Sequence, residues 1–89
     1  LDIPTSLNLT GTDHTITATC NTVTNADNYE WQRADNSGYT DNLVSGSFTL
    51  SEFTFTGLTN NQLYYVRVRA RGTGYLDSEW NSGTCTPTP

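Results

Sequence analysis

The chain has 89 residues and a formal net charge of −5, with four arginines, no lysine and a single histidine. This length suits one domain with one core, and the acidic balance argues against a nucleic-acid partner. No run approaches the roughly 20 apolar residues that a membrane span needs. Seventeen threonines, the absence of methionine and the lack of sustained helical periodicity favour β-strands over helices.

Breaks marked by glycine or asparagine divide the chain into short segments in which apolar and polar residues alternate. The predicted strands are residues 7–9, 15–20, 29–33, 48–50, 53–56, 64–71 and 81–86, with a hairpin loop and a weak edge strand within 35–47. Short strands at this spacing predict an all-β, seven-stranded antiparallel sandwich of two sheets rather than a βαβ fold.

Residues 53–70 carry the most informative pattern. An alternating strand is followed by Gly57 and Leu58, which predict a corner, and Tyr64 begins the next strand. In that strand small apolar residues alternate with arginines, which specifies its register. A tyrosine at the start of such a strand predicts a tyrosine corner, in which the buried ring's hydroxyl bonds a backbone group upstream.

This combination resembles the fibronectin type III domain, and the resemblance covers essentially the whole chain. It is carried by Ile-x-Ala-x-Cys at 16–20, Asn-Ala-Asp-Asn-Tyr at 25–29, Gly-Leu at 57–58, Tyr-x-Val-x-Val-x-Ala at 64–70 and Asp-Ser-Glu-Trp-Asn-Ser at 77–82. The resemblance implies an immunoglobulin-like Greek key. The domain would cover residues 1–86, and residues 87–89 would begin a Pro/Thr linker.

Cys20 and Cys85 are the only cysteines. Their spacing and the lack of further ligands argue against a redox or metal pair. In the resembling fold both positions face inward in the same half of the sandwich, which favours a disulfide in a secreted context. The alternative is two reduced thiols that pack as small hydrophobes.

Three of the four arginines, Arg67, Arg69 and Arg71, are predicted to point outward from one strand. One interpretation is a docking face for an acidic partner. The favoured interpretation is a structural ladder, in which these arginines pair with Glu30 and stack on Trp80, as in the Trp–Arg stacking of cytokine-receptor modules. We call these five residues the arginine ladder.

Tyr39, Tyr75 and Trp80 are predicted to lie on loops or outward faces, where flat rings suit sugar stacking. In the alternative interpretation, arginine stems cover Trp80 and the two tyrosines pack on their own loops. Residues 35–41 superficially resemble a calcium loop, but a hairpin turn explains them better, so no metal is expected. We expect no catalytic site and no cofactor, because the acidic residues are scattered and His14 has no plausible nucleophile partner.

The expected function is that of a non-catalytic spacer or interaction module in a secreted or cell-surface multidomain protein, bacterial by resemblance. A polysaccharide-degrading enzyme or an adhesin is the kind of parent that the resemblance implies. The alternatives are carbohydrate binding through the exposed aromatics and protein docking through the arginine face. The expected partners are neighbouring domains of the same chain, a polysaccharide or a surface protein. We expect a monomer.

Overall fold

The computed structural model describes residues 1–49 and 52–89, and all of its regular elements there are strands. In chain order they are β1 (Asn8–Thr12), β2 (Thr15–Thr19), β3 (Asn28–Ala34), β4 (Val44–Phe48), β5 (Glu52–Phe55), β6 (Tyr64–Arg71) and β7 (Asn81–Cys85). Within these ranges no helix is long and apolar enough to cross a membrane.

The strands form two antiparallel sheets that pack face to face. One sheet has three strands in the order β1-β2-β5, and the other has four in the order β4-β3-β6-β7. The predicted fold class, an all-β sandwich of seven antiparallel strands, is therefore confirmed. One side of the sandwich is closed by β1 against β7, where a Leu9 methyl lies 3.2 Å from the position that a Cβ on Gly83 would take. On the other side, β4 and β5 are both edge strands.

Two strand predictions differ from the structure. β1 begins at Asn8 and continues to Thr12, because a tight turn with His14 in the left-handed region pairs its whole length with β2. β4 begins at Val44, within the stretch 35–47 for which a hairpin loop and a weak edge strand were predicted, and it pairs with β3 as that edge strand. Of the predicted strand 48–50, Phe48 ends β4, and Leu50 lies outside the described residues.

The core lies between the sheets and is built from alternate residues of the central strands. On β6 the side chains of Val66, Val68 and Ala70 are completely buried. The indole of Trp31 packs edge-on against Phe55, with the ring centroids 4.8 Å apart. The large apolar and aromatic side chains thus fill the interior, as the alternation predicts.

Trp31 also requires a glycine opposite it. Gly46 is its partner on β4, and a Cβ built there would lie 2.6 Å from the indole ring. Real Cβ atoms do not approach a ring this closely, so the close contact excludes any larger residue without a shift of the backbone. The glycine in β4 is therefore explained by the Trp31 ring that packs against it.

The two chain ends lie at opposite ends of β6. The amino group of Leu1 donates a hydrogen bond to the Leu76 carbonyl, 3.0 Å away, on the loop that follows β6. The buried Pro87 accepts one from the Asn61 N–H, 2.8 Å away, on the connection that precedes β6. The eight residues of β6 span about 26 Å between these contacts.

Candidate functional site

On the outer face of the four-stranded sheet, the arginine ladder contacts Tyr39, which was predicted to be an exposed aromatic available to a sugar. The Arg67 guanidinium carbon lies 4.2 Å from the Tyr39 ring centroid and 4.3 Å from the Trp80 ring centroid. Arg69 lies over Trp80 at 4.5 Å. Tyr39, Arg67, Trp80 and Arg69 therefore form one continuous stack of alternating rings and guanidinium groups.

Tyr39 was predicted to be exposed, and that prediction is wrong. Only 9% of its surface is accessible, because the loop between β3 and β4 folds back over the sheet and places the ring against Arg67. Burial raises the pKa of the Tyr39 phenol above its ordinary value, against the smaller lowering effect of the Arg67 charge. This ring is not available as a platform for a ligand.

Each arginine of the ladder has a polar partner. Arg69 bonds Glu30 through both Nε and Nη2 at 2.6 Å, and its Nη2 lies 3.5 Å from Asp77. Arg71 lies 3.8 Å from Asp77 through Nε. These pairs follow from register, because Glu30 lies opposite Arg69 on β3. Such partly exposed pairs contribute little stability each, on the order of 0.2–1 kcal/mol.

Arg67 is held by an amide instead of a carboxylate. Both its Nε and its Nη2 donate to the Gln32 side-chain oxygen, at 2.8 and 2.5 Å. Gln32 lies directly opposite Arg67 on β3. Among the described residues no carboxylate pairs with Arg67, and its guanidinium lies against two aromatic faces, which is the arrangement of a cation–π contact.

Tyr64 has the contacts that define a tyrosine corner. Its ring is buried, and its hydroxyl accepts a hydrogen bond from the Thr59 N–H, 2.9 Å away and five residues upstream. A second tyrosine does the same on β3: the Tyr29 hydroxyl accepts from the Val23 N–H at 2.8 Å. Each phenol satisfies a backbone donor of the loop that leads into its own strand.

The predicted disulfide is wrong, because Cys20 and Cys85 are both free thiols. The Cys85 sulfur lies beside Gly11, and Gly11 pairs with Ile16 at the start of β2. Cys20 follows the far end of β2, four residues and about 13 Å further along the strand, whereas a disulfide needs Cα atoms within about 7 Å. The two thiols are therefore in opposite halves of the sandwich.

Burial raises the pKa of both thiols. For Cys85 a backbone hydrogen bond with Thr86 acts in the opposite direction but is the smaller effect. A raised pKa keeps a thiol protonated and unreactive near neutral pH. Both cysteines thus act as small packing residues.

The loop that resembles a calcium site is closed by its own hydrogen bonds. The Asn36 side-chain oxygen accepts from the N–H groups of Thr40 and Asp41, each at 3.0 Å. The carboxylate of Asp35 accepts from the side chains of Asn42 and Gln62. These oxygens are engaged in shaping the hairpin that carries Tyr39 onto the sheet.

Tyr75 is the predicted glycan contact that remains exposed, with 52% of its surface accessible. It lies on the loop between β6 and β7, which also borders a polar cavity of about 190 Å³. The cavity is lined by Asp27, Asn28, Arg71, Gly72, Thr73 and Asp77. Hydrogen bonds from Thr73 lower the pKa of the Asp27 carboxyl. Tyr75 is thus separate from the stack that holds Tyr39 and Trp80, so the three aromatics do not form one platform.

Arg33 was not singled out as a site residue, yet it is the arginine that the ladder does not include. It alternates on β3 with Tyr29 and Trp31, whose side chains are buried in the core, so it shares their inner face. That alternation was visible in the sequence and was the available signal. Arg33 lies at the open side of the sandwich, where it lines a groove together with Trp31 and residues 53–56.

Comparison with known proteins places the fold. The sequence matches no family model and no curated protein sequence. Among solved structures, the chain is similar to the fn3 domain of the human collagen alpha-1(XX) chain, with a TM-score of 0.82 and 20% identity over 98% of this chain and 85% of that one.

Two further structures support the same fold. A computationally redesigned β-sandwich protein gives a TM-score of 0.81 at 22% identity, covering 99% of this chain and 95% of that one. An Fn3-like protein from Clostridium thermocellum gives 0.68 at 26% identity, covering 90% and 88%. The chain therefore has the fibronectin type III fold, and the resemblance predicted from its motifs is confirmed at the level of the fold.

Proposed function

We propose that the chain is a non-catalytic structural module that sets the distance between neighbouring parts of a secreted or cell-surface multidomain protein. The observation that carries the proposal is the position of the two chain ends. Leu1 is tied to the loop after β6, and Pro87 is tied to the connection before β6. A polypeptide that continues in both directions leaves a 40 Å long sandwich from opposite ends.

The segment 86–89 supports the same role. Its sequence is Thr-Pro-Thr-Pro, and proline-rich segments are extended and stiff. The buried Pro87 is anchored to the domain through the Asn61 N–H, so the direction in which the chain leaves is defined by the fold. The boundary between domain and linker after residue 86 stays a prediction.

The outer face of the larger sheet supports a structural role more than a docking role. Arg69 and Arg71 are neutralised by Glu30 and Asp77, and Arg67 is enclosed between Tyr39 and Trp80. A partner with acidic groups would have to displace these contacts before it gained new ones. Docking through the arginine face therefore stays an alternative proposal without an exposed, unpaired charge to favour it.

Carbohydrate binding stays an alternative that now depends on Tyr75. This exposed ring lies on the same loop as part of the lining of a cavity with two carboxylates, an amide and Arg71, a set of groups that can hydrogen-bond sugar hydroxyls. A titration of the chain with soluble polysaccharides, followed by affinity electrophoresis, tests this. Retardation that Tyr75→Ala abolishes and Tyr39→Ala retains would favour it.

The spacer proposal is tested on two copies joined in tandem through their own Thr-Pro-Thr-Pro segment. Small-angle X-ray scattering is expected to give a maximum dimension of at least twice the 40 Å length of one copy. The control inserts a long glycine-serine segment after Pro89, which is expected to broaden the distance distribution. Two copies that fold back side by side, with a maximum dimension near that of one copy, would contradict the proposal.

A further inference from the structure

Arg33 is a half-buried cation without a polar partner among the residues that the structure describes. Its guanidinium carbon lies 5.7 Å from the centroid of the Tyr64 ring. Among residues 1–49 and 52–89, every ion pair of an arginine belongs to Arg69 or Arg71, and the remaining arginine hydrogen bonds belong to Arg67. A partly desolvated guanidinium with five N–H donors and no acceptor favours an anion.

The neighbouring residue on the same face has the same deficit. Trp31 is 92% buried, and its indole Nε1 has no hydrogen-bond partner in the described part of the chain. Buried indole N–H groups normally find an acceptor, because an unpaired buried donor loses its hydrogen bonds to water without replacement. The Trp31 nitrogen is itself buried, 3.1 Å from the position of a Cβ on Gly46 of β4, so among the described residues Arg33 is the unpaired donor at the groove surface.

Both residues line one groove at the open side of the sandwich. Its volume is about 200 Å³, and we call it the β5 groove. It is lined by Trp31, Arg33, Phe53, Thr54, Phe55 and Thr56. Glu52, the acidic residue of β5, alternates with Thr54 on the outer face, away from the aromatic side chains. The groove thus combines aromatic walls with the unpaired guanidinium of Arg33.

The shape of the groove indicates what fits it. Four of its lining residues, 53–56, are consecutive, three on β5 and Thr56 directly after it, and β5 is an edge strand that pairs on one side with β2. The other side of β5 offers backbone groups to an added strand, which is the mode of β-augmentation. An extended peptide is therefore a better match than a compact ligand.

We propose that the β5 groove binds an extended segment of a partner protein, which adds beside β5 and places one carboxylate, flanked by apolar side chains, against Arg33. The carboxylate supplies the acceptor that the Arg33 guanidinium lacks among the described residues. The apolar residues two positions before and after it point the same way and cover Phe53 and Phe55. A run of acidic residues is disfavoured, because this chain carries a net charge of −5.

The probe is the peptide acetyl-Val-Thr-Glu-Thr-Val-amide, added at millimolar concentration to the ¹⁵N-labelled chain. Its glutamate and both valines lie on one face of a strand. The expected result is a saturable change in the amide resonances of Glu52–Phe55 and in the indole N–H of Trp31. The matched peptide with glutamine in place of glutamate is expected to bind about tenfold or more weakly, because it lacks the charge that Arg33 pairs with.

Variants of the protein make the test specific. Arg33→Gln is expected to bind both peptides equally weakly, whereas Arg33→Lys keeps part of the preference for glutamate. Arg71→Gln removes the same charge from the outer face and is the matched control, with unchanged binding expected. Thermal unfolding of each variant shows that it is folded.

Three outcomes would overturn the proposal. The first is no change at β5 or Trp31 with the glutamate peptide. The second is equal binding of the two peptides to the unaltered chain. The third is changes confined to Val44–Phe48, which would place the peptide at the β4 edge instead.

Discussion

The two faces of β6 are held in different ways. On the inner face Val66, Val68 and Ala70 alternate in a continuous, completely buried row, and Tyr64 begins that row with its ring buried. On the outer face the arginines of the same strand depend on particular groups from distant segments, including Tyr39, Trp80 and Asp77. The inner face from Val66 to Ala70 is therefore specified by burial, and the outer face by individual partners.

This difference predicts how the two faces respond to substitution. A buried row loses transfer energy and gains a cavity wherever it is cut. In a network of half-exposed ion pairs and cation–π stacks, a substitution reduces stability only where the contact that it removes is shielded from water. Substitutions along β6 should therefore reduce the free energy of unfolding strongly on the inner face and very little on the outer face. Each variant tests one step of that order.

The largest effect is expected from Val68→Ala. Val68 is completely buried on the inner face, beside Trp31 of the neighbouring strand, and its shortening removes buried methyl groups and leaves a cavity. We expect a loss of about 2–3 kcal/mol in the free energy of unfolding, measured by urea denaturation. The matched control is Val44→Ala, the same change on an edge strand at 40% exposure, with a loss of less than about 0.5 kcal/mol expected. Equal losses would mean that burial does not determine the energetics of this strand.

The inner face was also the part that the sequence predicted well. The alternation from Tyr64 to Arg71 specified both the strand and its register, because a shift by one residue would place arginines in the core. The same reasoning applied to β3 would have placed Arg33 on the inner face, beside Trp31. Arg33 was overlooked because an arginine at a strand end is ordinarily assigned to solvent.

Tyr64→Phe is expected to have the second largest effect. The substitution keeps the ring in the core but leaves the Thr59 N–H without its acceptor. We expect a loss of about 1–2 kcal/mol by the same denaturation measurement, since an unpaired backbone donor is left in a part-buried position. Tyr29→Phe, which frees the Val23 N–H, should give a similar loss. Tyr75→Phe, on an exposed ring, should give none, and a loss there equal to that of Tyr64→Phe would refute the hydrogen-bond explanation.

The outer face was predicted less completely, for a physical reason. The positions of Arg67, Arg69 and Glu30 follow from strand register, and they were foreseen as neighbours. The burial of Tyr39 depends on the path of the loop from Asp35 to Leu43, which no periodicity encodes. The disulfide prediction was wrong for a related reason. Alternation along a strand shows that a cysteine faces inward, but it does not show whether two cysteines on different strands lie at the same level of the sandwich.

The third prediction compares two arginines of the outer face. Arg67→Ala removes a guanidinium that is enclosed between Tyr39 and Trp80, and it should cost about 1–2 kcal/mol in the free energy of unfolding. Arg71→Ala removes one that is 47% exposed and loosely paired with Asp77, and it should cost less than about 0.5 kcal/mol. Indole fluorescence should shift to longer wavelength in the first variant alone, because Trp80 loses its cover. Equal costs would mean that charge, and not stacking, stabilises this face.

The smallest effect concerns the pair between Arg69 and Glu30. Their atoms lie 2.6 Å apart, but 29% and 19% of the two side chains is accessible, so solvent screens much of the attraction. A double-mutant cycle with Arg69→Gln and Glu30→Gln isolates the pair, and we expect a coupling energy of about 0.5 kcal/mol at low salt. Adding salt should reduce this coupling and leave the effect of Arg67→Ala nearly unchanged, because the Arg67 contact is with ring faces and an amide. A coupling above about 2 kcal/mol that persists at high salt would show that the pair is shielded like the core, and the division between the two faces of β6 would no longer hold.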